Sequence, residues 1–490
     1  MENIKSKIQY YLRVHHHIEI NFFILDSRVY TKKSINIKEE LILNMEEGLE
    51  TDTLLQIGIN SDIMSTLTDT DNEENLIIIE IECDLQSYSS HTEIFEKARP
   101  RYLTILSILS FFTGEVFTVS QKMYTQLMLG NIYENNQINT LFINNGINKT
   151  EDLSKLIDFI NSSDKHNRML IYSLLDRWRK GLYLQEESED TFLYNDEALL
   201  AYYHILELLS SVYESPLKKD VDELCSNFLD KLLGDTYHLS KKILENEKLN
   251  KSKSLKDLLI SEISIKIKIY YMLNKLKMLN NKSKEIVEKL INDRNAVAHG
   301  RAVYQDNVIF PVPPFFPLVE DLFNEIEIAK IISARAIASH LGLNTWKKEW
   351  TNLLRNFRVP YEVVQAFIEN KYYLNISSED FINGKKHKVR PSDIYYYTVT
   401  RKIKLKKLEE IICQIIIDTE INEINALEFS GISILLSDSK NYVLCQKCRQ
   451  IIKTSYDKNW ISHSEFRDMF LYLEYKKFNI NTIKNLLYTE

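Results

Sequence analysis

Glycine and proline are scarce in this chain, 11 and 8 in 490 residues. These two residues supply most tight turns. Their scarcity argues against a many-turned β protein and for long helices. Cysteine is also scarce, at five. That number does not suit a disulfide framework and indicates a reducing compartment. No apolar run reaches the roughly 18 residues that a membrane span needs. The start, Met1-Glu2-Asn3-Ile4-Lys5, is not a signal peptide, so a cytoplasmic protein with no membrane partner is expected. A Walker A loop, a dinucleotide fingerprint and an H-E-x-x-H pair are all missing. ATPase, dehydrogenase and zincin chemistry are therefore unsupported. Repeats and low-complexity tracts are absent as well.

What is present is a globular composition, 44% hydrophobic with 28 tyrosines. The length suits two to four domains. The net charge of −8 is unevenly spread. Residues 341–490 carry +5 and the first 340 carry −13. Such a basic end is compatible with local RNA binding.

Periodicity predicts an α+β protein, mostly α, in three parts. Residues 1–150 read as β-rich, because Ile18 to Leu25 and Leu76 to Cys83 are β-branched, partly alternating runs. A helix from about Thr92 to Phe112 is expected to be interrupted near Pro100 and ended by Gly114. Thr68 to Glu74 reads as a loop, and Asn135 to Asn148 as a polar loop or hairpin. Residues 151–343 read as a helical bundle. Leu199, Tyr203, Leu206, Leu209 and Tyr213 share one face. Another helix should run from about Leu217 to Leu244. Ile263, Ile265, Ile267 and Ile269 alternate like a strand inside this helical stretch. Ser283 and Glu285 open a short helix with the face Ile286, Val287, Leu290 and Ile291. After a proline-rich loop, Leu318, Leu322, Ile326, Ala329 and Ile332 make the last helix of the bundle. Residues 344–490 read as a mixed, weakly basic domain.

The chemistry concentrates in Arg294-Asn295-Ala296-Val297-Ala298-His299-Gly300. Arginine clamps a phosphate through a planar fork of donors. Histidine titrates near neutral pH and can take or give a proton. The same residues also suit a plain helix end closed by Gly300. In one unbroken helix Arg294 and His299 point about 140° apart. Either the helix breaks between them, or a second copy of the chain completes the site. Arg335 to His340 repeats the arginine–histidine spacing inside an apolar helical run and reads as accidental.

The R-N-x3-H-G stretch resembles the R-x4-6-H signature of HEPN domains. More narrowly, the chain resembles Apea-like HEPN proteins of bacterial phage defence. Leu106-Ser107-Ile108-Leu109-Ser110-Phe111-Phe112-Thr113-Gly114 and Ala201-Tyr202-Tyr203-His204-Ile205-Leu206-Glu207 also carry the likeness, over roughly residues 10 to 340. It implies a metal-independent endoribonuclease of abortive infection that needs no cofactor. Arg294 would bind the scissile phosphate, His299 would act as general acid/base and Asn295 would position either. Products would end in 2′,3′-cyclic phosphate and 5′-OH. Gly300 and Glu207 would support the site, Glu207 by orienting Arg294. The partners implied are RNA, a second copy of the chain and a phage-encoded trigger protein. The chain departs from the family's common R-x4-H-x-Y form, since Arg301 follows Gly300 with no tyrosine directly after it. Two other readings stay open: a non-catalytic HEPN module binding RNA or a phage protein, and a structural helical scaffold.

Two basic clusters flank Tyr395-Tyr396-Tyr397, one with Lys385, Lys386 and Lys388, the other with Lys404 and Lys406. Positive charge beside aromatic rings suits RNA, though a solvated face is the ordinary reading of such clusters. Glu207 likewise reads as a boundary carboxylate facing water. Cys445 and Cys448 form a lone C-x2-C that lacks the four ligands of a zinc site. His15, His16 and His17 alternate across a probable strand and share no face.

Overall fold

The β-branched N-terminal runs form one sheet. Its strands are β1 (Lys5–Arg13), β2 (Ile18–Ile24), β3 (Ser27–Lys33), β4 (Asn75–Asp84), β5 (Lys122–Leu129), β6 (Thr140–Ile143) and β7 (Ile147–Asn148). All pairings are antiparallel, in the order β5-β1-β4-β3-β2-β6-β7. The computed structural model describes residues 5–14, 17–47, 64–65, 67, 74–84, 90–129, 132, 139–143, 146–188, 193–261, 263–299, 322–357 and 359–488. The expected loop at 68–73, the residues 135–138 and 144–145, and the proline-rich loop lie outside the described residues.

Strand β4 is covered on both faces, one lined by Ile77, Ile79 and Ile81 and the other by Leu76, Ile78 and the buried Glu80. Leu76 and Ile78 pack with Tyr11 against Ile37 and Leu41 of helix α1 (Ser34–Glu47). On the opposite face Tyr10, paired with Ile79, stacks at 4.2 Å on Tyr102 of α2 (His91–Thr113). Glu80 is buried and takes hydrogen bonds from Lys7 Nζ (2.6 Å) and Gln9 Nε2 (2.5 Å). Helix α2 runs through Pro100 without the expected interruption and ends at Gly114, φ 78°. Proline costs one backbone bond, but the helix continues, with Ile105, Leu106, Ile108 and Leu109 buried in the turns that follow.

Helices dominate after the sheet, at 69% overall. They are α3 (Thr150–Ser162), α4 (Lys165–Glu187), α5 (Asn195–Val212), α6 (Glu214–Asp230), α7 (Lys241–Ser261), α8 (Ile265–Lys275), α9 (Asn281–Ala298), α10 (Phe323–His340) and α11 (Lys347–Asn356). The single helix expected over 217–244 passes into a π turn at Lys231–Thr236 and breaks at residues 237–240, where His238 has φ 55°. The alternating isoleucines do not make a strand. Ser264 caps α8, and Ile269, Met272 and Leu273 bury at helical spacing. Trp178 of α4 and Tyr202 of α5 are fully buried against each other. Gly181 permits this, since a Cβ there would meet the Tyr202 ring at 2.7 Å. Among the described residues no helix is long and apolar enough to cross a membrane.

The chain divides into two compact units, Met1–Leu279 with Asp321–Leu353, and Asn280–Glu320 with Leu354–Glu490. The second unit holds α9 and then α12 (Tyr361–Glu369), α13 (Ser378–Ile382), α14 (Pro391–Val399), α15 (Leu405–Asp418), α16 (Glu423–Leu436), α17 (Tyr442–Asp457), α18 (His463–Tyr475) and α19 (Asn481–Tyr488). Phe367, Phe381, Ile394, Tyr397, Leu408 and Phe429 centre one of its cores, and Phe466, Phe470 and Leu473 another.

Candidate functional site

Helix α9 presents the arginine–histidine stretch. Asn280 and Ser283 close its start as a capping box, with Asn280 N donating to Ser283 Oγ at 2.7 Å. Ile286, Val287 and Leu290 bury one face. Lys282 Nζ donates to the carbonyls of Leu354 (2.8 Å) and Phe357 (2.6 Å), which anchors the first turn to the second unit. Burial lowers the Lys282 pKa. Glu285 is a feature that sequence reading took only as a helix opener. Burial first, and the neighbouring Glu362 second, raise its carboxyl to about 7. No spacing in the sequence announces that pairing.

The helix is longer than expected and does not break inside the motif. It continues through Ala298, and the His299 N–H still donates to the Asn295 carbonyl at 3.2 Å. Arg294 is partly buried and its Nη1 donates to Asn295 Oδ1 at 3.1 Å. That contact steers the guanidinium along the helix surface. His299 is exposed at the helix end, and Gly300 lies outside the described residues. Five residues of continuous helix turn the two side chains about 140° apart. One chain therefore does not aim both at the same phosphate oxygen. Of the two sequence alternatives, a break between the residues is not what occurs.

The other arginine–histidine pair is structural. Arg335 Nη1 donates to the carbonyls of Leu343 (2.8 Å) and Thr345 (3.0 Å), holding the turn after α10. Asp152 grips the same turn, taking Asn344 N (3.0 Å), Thr345 N (2.6 Å) and Thr345 Oγ1 (2.6 Å). His340 sits beside Tyr213, with Nδ1 3.0 Å from the phenol oxygen. Burial lowers its pKa and keeps it neutral.

Glu207 lies on α5 of the first unit, partly buried, with Oε2 3.9 Å from His204 Nε2.

The basic clusters are exposed, but the tyrosines between them serve the core. Tyr397 is buried and donates to the Val359 carbonyl at 2.8 Å. Tyr395 packs over Gly431, where a Cβ would come within 2.7 Å of the ring. Lys385, Lys386, Lys388, Lys404 and Lys406 all reach solvent, with Lys385 Nζ 3.4 Å from Glu379. A different aromatic pair stands beside them. Tyr372 and His387 stack at 4.1 Å and 6°, and Tyr372 remains 41% exposed. Lys371, Lys385, Lys386 and Lys388 surround this stack in sequence. Lys371 and Lys388 hold left-handed backbone, φ 53° and 61°. The pair joins residues fifteen positions apart, so no local pattern reveals it.

Comparison with known proteins gives no match. Neither a protein-family model, nor a curated protein, nor a solved structure matches this chain.

The cysteines read as packing. Cys445 Sγ lies 3.0 Å from the Ser437 carbonyl, and burial pushes the Cys448 thiol up to about 12. His15 and His16 lie outside the described residues, and His17 Nδ1 is 3.2 Å from Asn75 Nδ2.

Proposed function

We propose that this chain is a HEPN-type endoribonuclease of anti-phage defence whose site is assembled from two copies. The observation that carries the reading is the end of α9, where a partly buried arginine steered by Asn295 is followed by an exposed histidine. Arg294 offers a planar donor fork to the non-bridging oxygens of a phosphodiester. His299 of one copy takes the proton from a ribose 2′-OH, and O2′ attacks phosphorus. The P–O5′ bond breaks, and O5′ receives a proton from an imidazolium. The products end in 2′,3′-cyclic phosphate and 5′-OH. Neither proton transfer calls for a cofactor. The defence role and the phage-encoded trigger rest on the family resemblance alone.

The test is incubation of purified protein with RNA in EDTA, followed by sequencing of the cleaved ends. Cleavage with cyclic-phosphate ends, lost in His299→Ala and Arg294→Ala of unchanged helix content, is the expected result. Full activity in a folded His299→Ala protein refutes the assignment.

The exposed Tyr372–His387 stack among lysines favours a second reading, RNA binding without cleavage. Tight binding of RNA that stays intact would select it.

A further inference from the structure

A cavity of about 390 Å³ opens in the first unit, far in sequence from α9. Its walls are the β2–β3 turn, the part of α2 around Pro100 and the first half of α4. Ile24, Leu25, Pro100, Leu103, Ile105 and Met169 make it mainly apolar. The size lies within the usual range for small-molecule sites, about 300–1,000 Å³. Two of its lips are large apolar side chains left in water, Leu25 at 48% and Met169 at 54% exposure. Leu25 is held there by left-handed backbone, φ 53°. A β-branched or long side chain at positive φ is costly, so the turn sets an apolar group at the mouth.

The rim has a definite polarity. Arg101 pairs with Asp26 and also donates to the Glu82 carbonyl at 3.1 Å. Arg179 pairs with Asp176 at 2.7 Å and donates to Ser107 Oγ at 3.0 Å and the Phe117 carbonyl at 3.3 Å. Both arginines are the less exposed members of their pairs, and Arg101 also lines the cavity. Their side chains are 27% and 15% exposed, whereas Asp26 and Asp176 are 44% and 56% exposed. The formal charges cancel, but the carboxylate oxygens lie on the outside. Tyr172 lines the same mouth, and burial raises its phenol, so it stays neutral.

From this geometry we infer that the cavity binds a cation with an apolar body, such as an arylalkyl ammonium group. The apolar walls take the body, and the outward carboxylates of Asp26 and Asp176 take the head. A carboxylate of the same shape would meet the more exposed members of the two ion pairs, which are the aspartates. The same chemistry is offered by a free amine or by a lysine beside a large apolar residue on a partner protein.

The test is calorimetric titration of the full chain with tryptamine, with tryptophol and indoleacetate as neutral and anionic matches. Acetyl-Trp-Lys-amide supplies the peptide source. Tryptamine should bind more tightly than tryptophol by about fivefold, the usual scale of a partly exposed ion pair. Indoleacetate should bind more weakly than both. Tighter binding of the peptide than of tryptamine assigns the site to a partner chain, and the reverse assigns it to a free amine. Asp176→Asn, a surface change, should remove the preference for the amine. Ser173→Trp, which fills the cavity, should abolish binding of all the probes. Equal binding of amine and carboxylate overturns the inference. So does tryptamine binding unaltered by both substitutions, or no binding of any probe to the wild-type chain.

Discussion

Mixing two inactive variants tests the two-copy site most directly. Arg294→Ala and His299→Ala should each lower RNA cleavage by about a hundredfold or more, the usual cost of losing a positioned proton-transfer group or phosphate clamp. Helix α9 is continuous through Ala298, which separates the two side chains by about 140°. A productive pair must then take Arg294 from one copy and His299 from the other. In a mixed dimer one site loses both groups and the other keeps both. Equal mixing makes about half of the dimers mixed, so activity should return to about one quarter of wild type. Dimers purified through two different tags should reach about half of wild type. The assay is cleavage of a fluorogenic RNA in EDTA, after the variants are produced together in one cell. Tagged mixed dimers no more active than either variant alone, beside an active wild type, would sink the reasoning. Both groups would then come from one chain, and α9 would have to unwind before His299.

Glu285→Gln tests the raised carboxyl on the same helix. The folded carboxyl titrates near 7 and the unfolded one near 4.5, so the folded state holds a proton that the unfolded state has lost. Stability therefore falls as pH rises through that window. The glutamine variant should be more stable by about 1 kcal/mol at pH 8, a figure discounted for the side chain's partial exposure. Near pH 4 it should match wild type; an equal gain at both values in urea unfolding would contradict the cause given. Gly181→Ala should destabilise the first unit by about 1–2 kcal/mol, because overpacking against Tyr202 outweighs the gain in helix propensity. Tryptophan fluorescence would read the unfolding, since Trp178, Trp346 and Trp350 all lie in the first unit, and a variant as stable as wild type would show that the two helices part easily. Reversing Lys385, Lys386, Lys404 and Lys406 to Glu should weaken RNA binding and flatten its salt dependence. Tyr372→Ala should weaken binding by about tenfold or more with the salt slope kept. If neither change alters affinity, this face is only solvated surface.

The sequence makes the large elements legible because their patterns are strong. Leu76 to Cys83 is an isoleucine-rich run and becomes the interior strand β4. Gly114 ends α2 where glycine at positive φ is needed. What sequence hides depends on distance. Pro100 reads as a breaker, but the packing of the following turns outweighs one lost hydrogen bond. The alternating isoleucines at 263–269 mimic a strand, yet Ser264 and the face Ile269, Met272 and Leu273 impose a helix. At the site, Arg294 and His299 are visible as residue types, while their divergence depends on whether the helix continues. The exposed aromatic beside the lysines is Tyr372 rather than the conspicuous tyrosine run. Three adjacent tyrosines on a helix cannot all face water or all face the core, and neighbouring glycine and carbonyl groups decide the matter.

The order in which the two units draw on the chain has a consequence for synthesis. Helix α9 is translated in the middle of the polypeptide, but it belongs with residues from Leu354 onward. Its anchors at Leu354 and Phe357, and the neighbours of Glu285, do not yet exist when Arg294 and His299 leave the ribosome. At about 5–20 residues per second, synthesis reaches Phe357 roughly 3–12 s after His299. If α9 carries the proposed chemistry, it stays unsupported during that interval, while still attached to the ribosome. Cleavage would then need the residues from Leu354 onward, so a chain truncated before Leu354 should spare the cell that makes it.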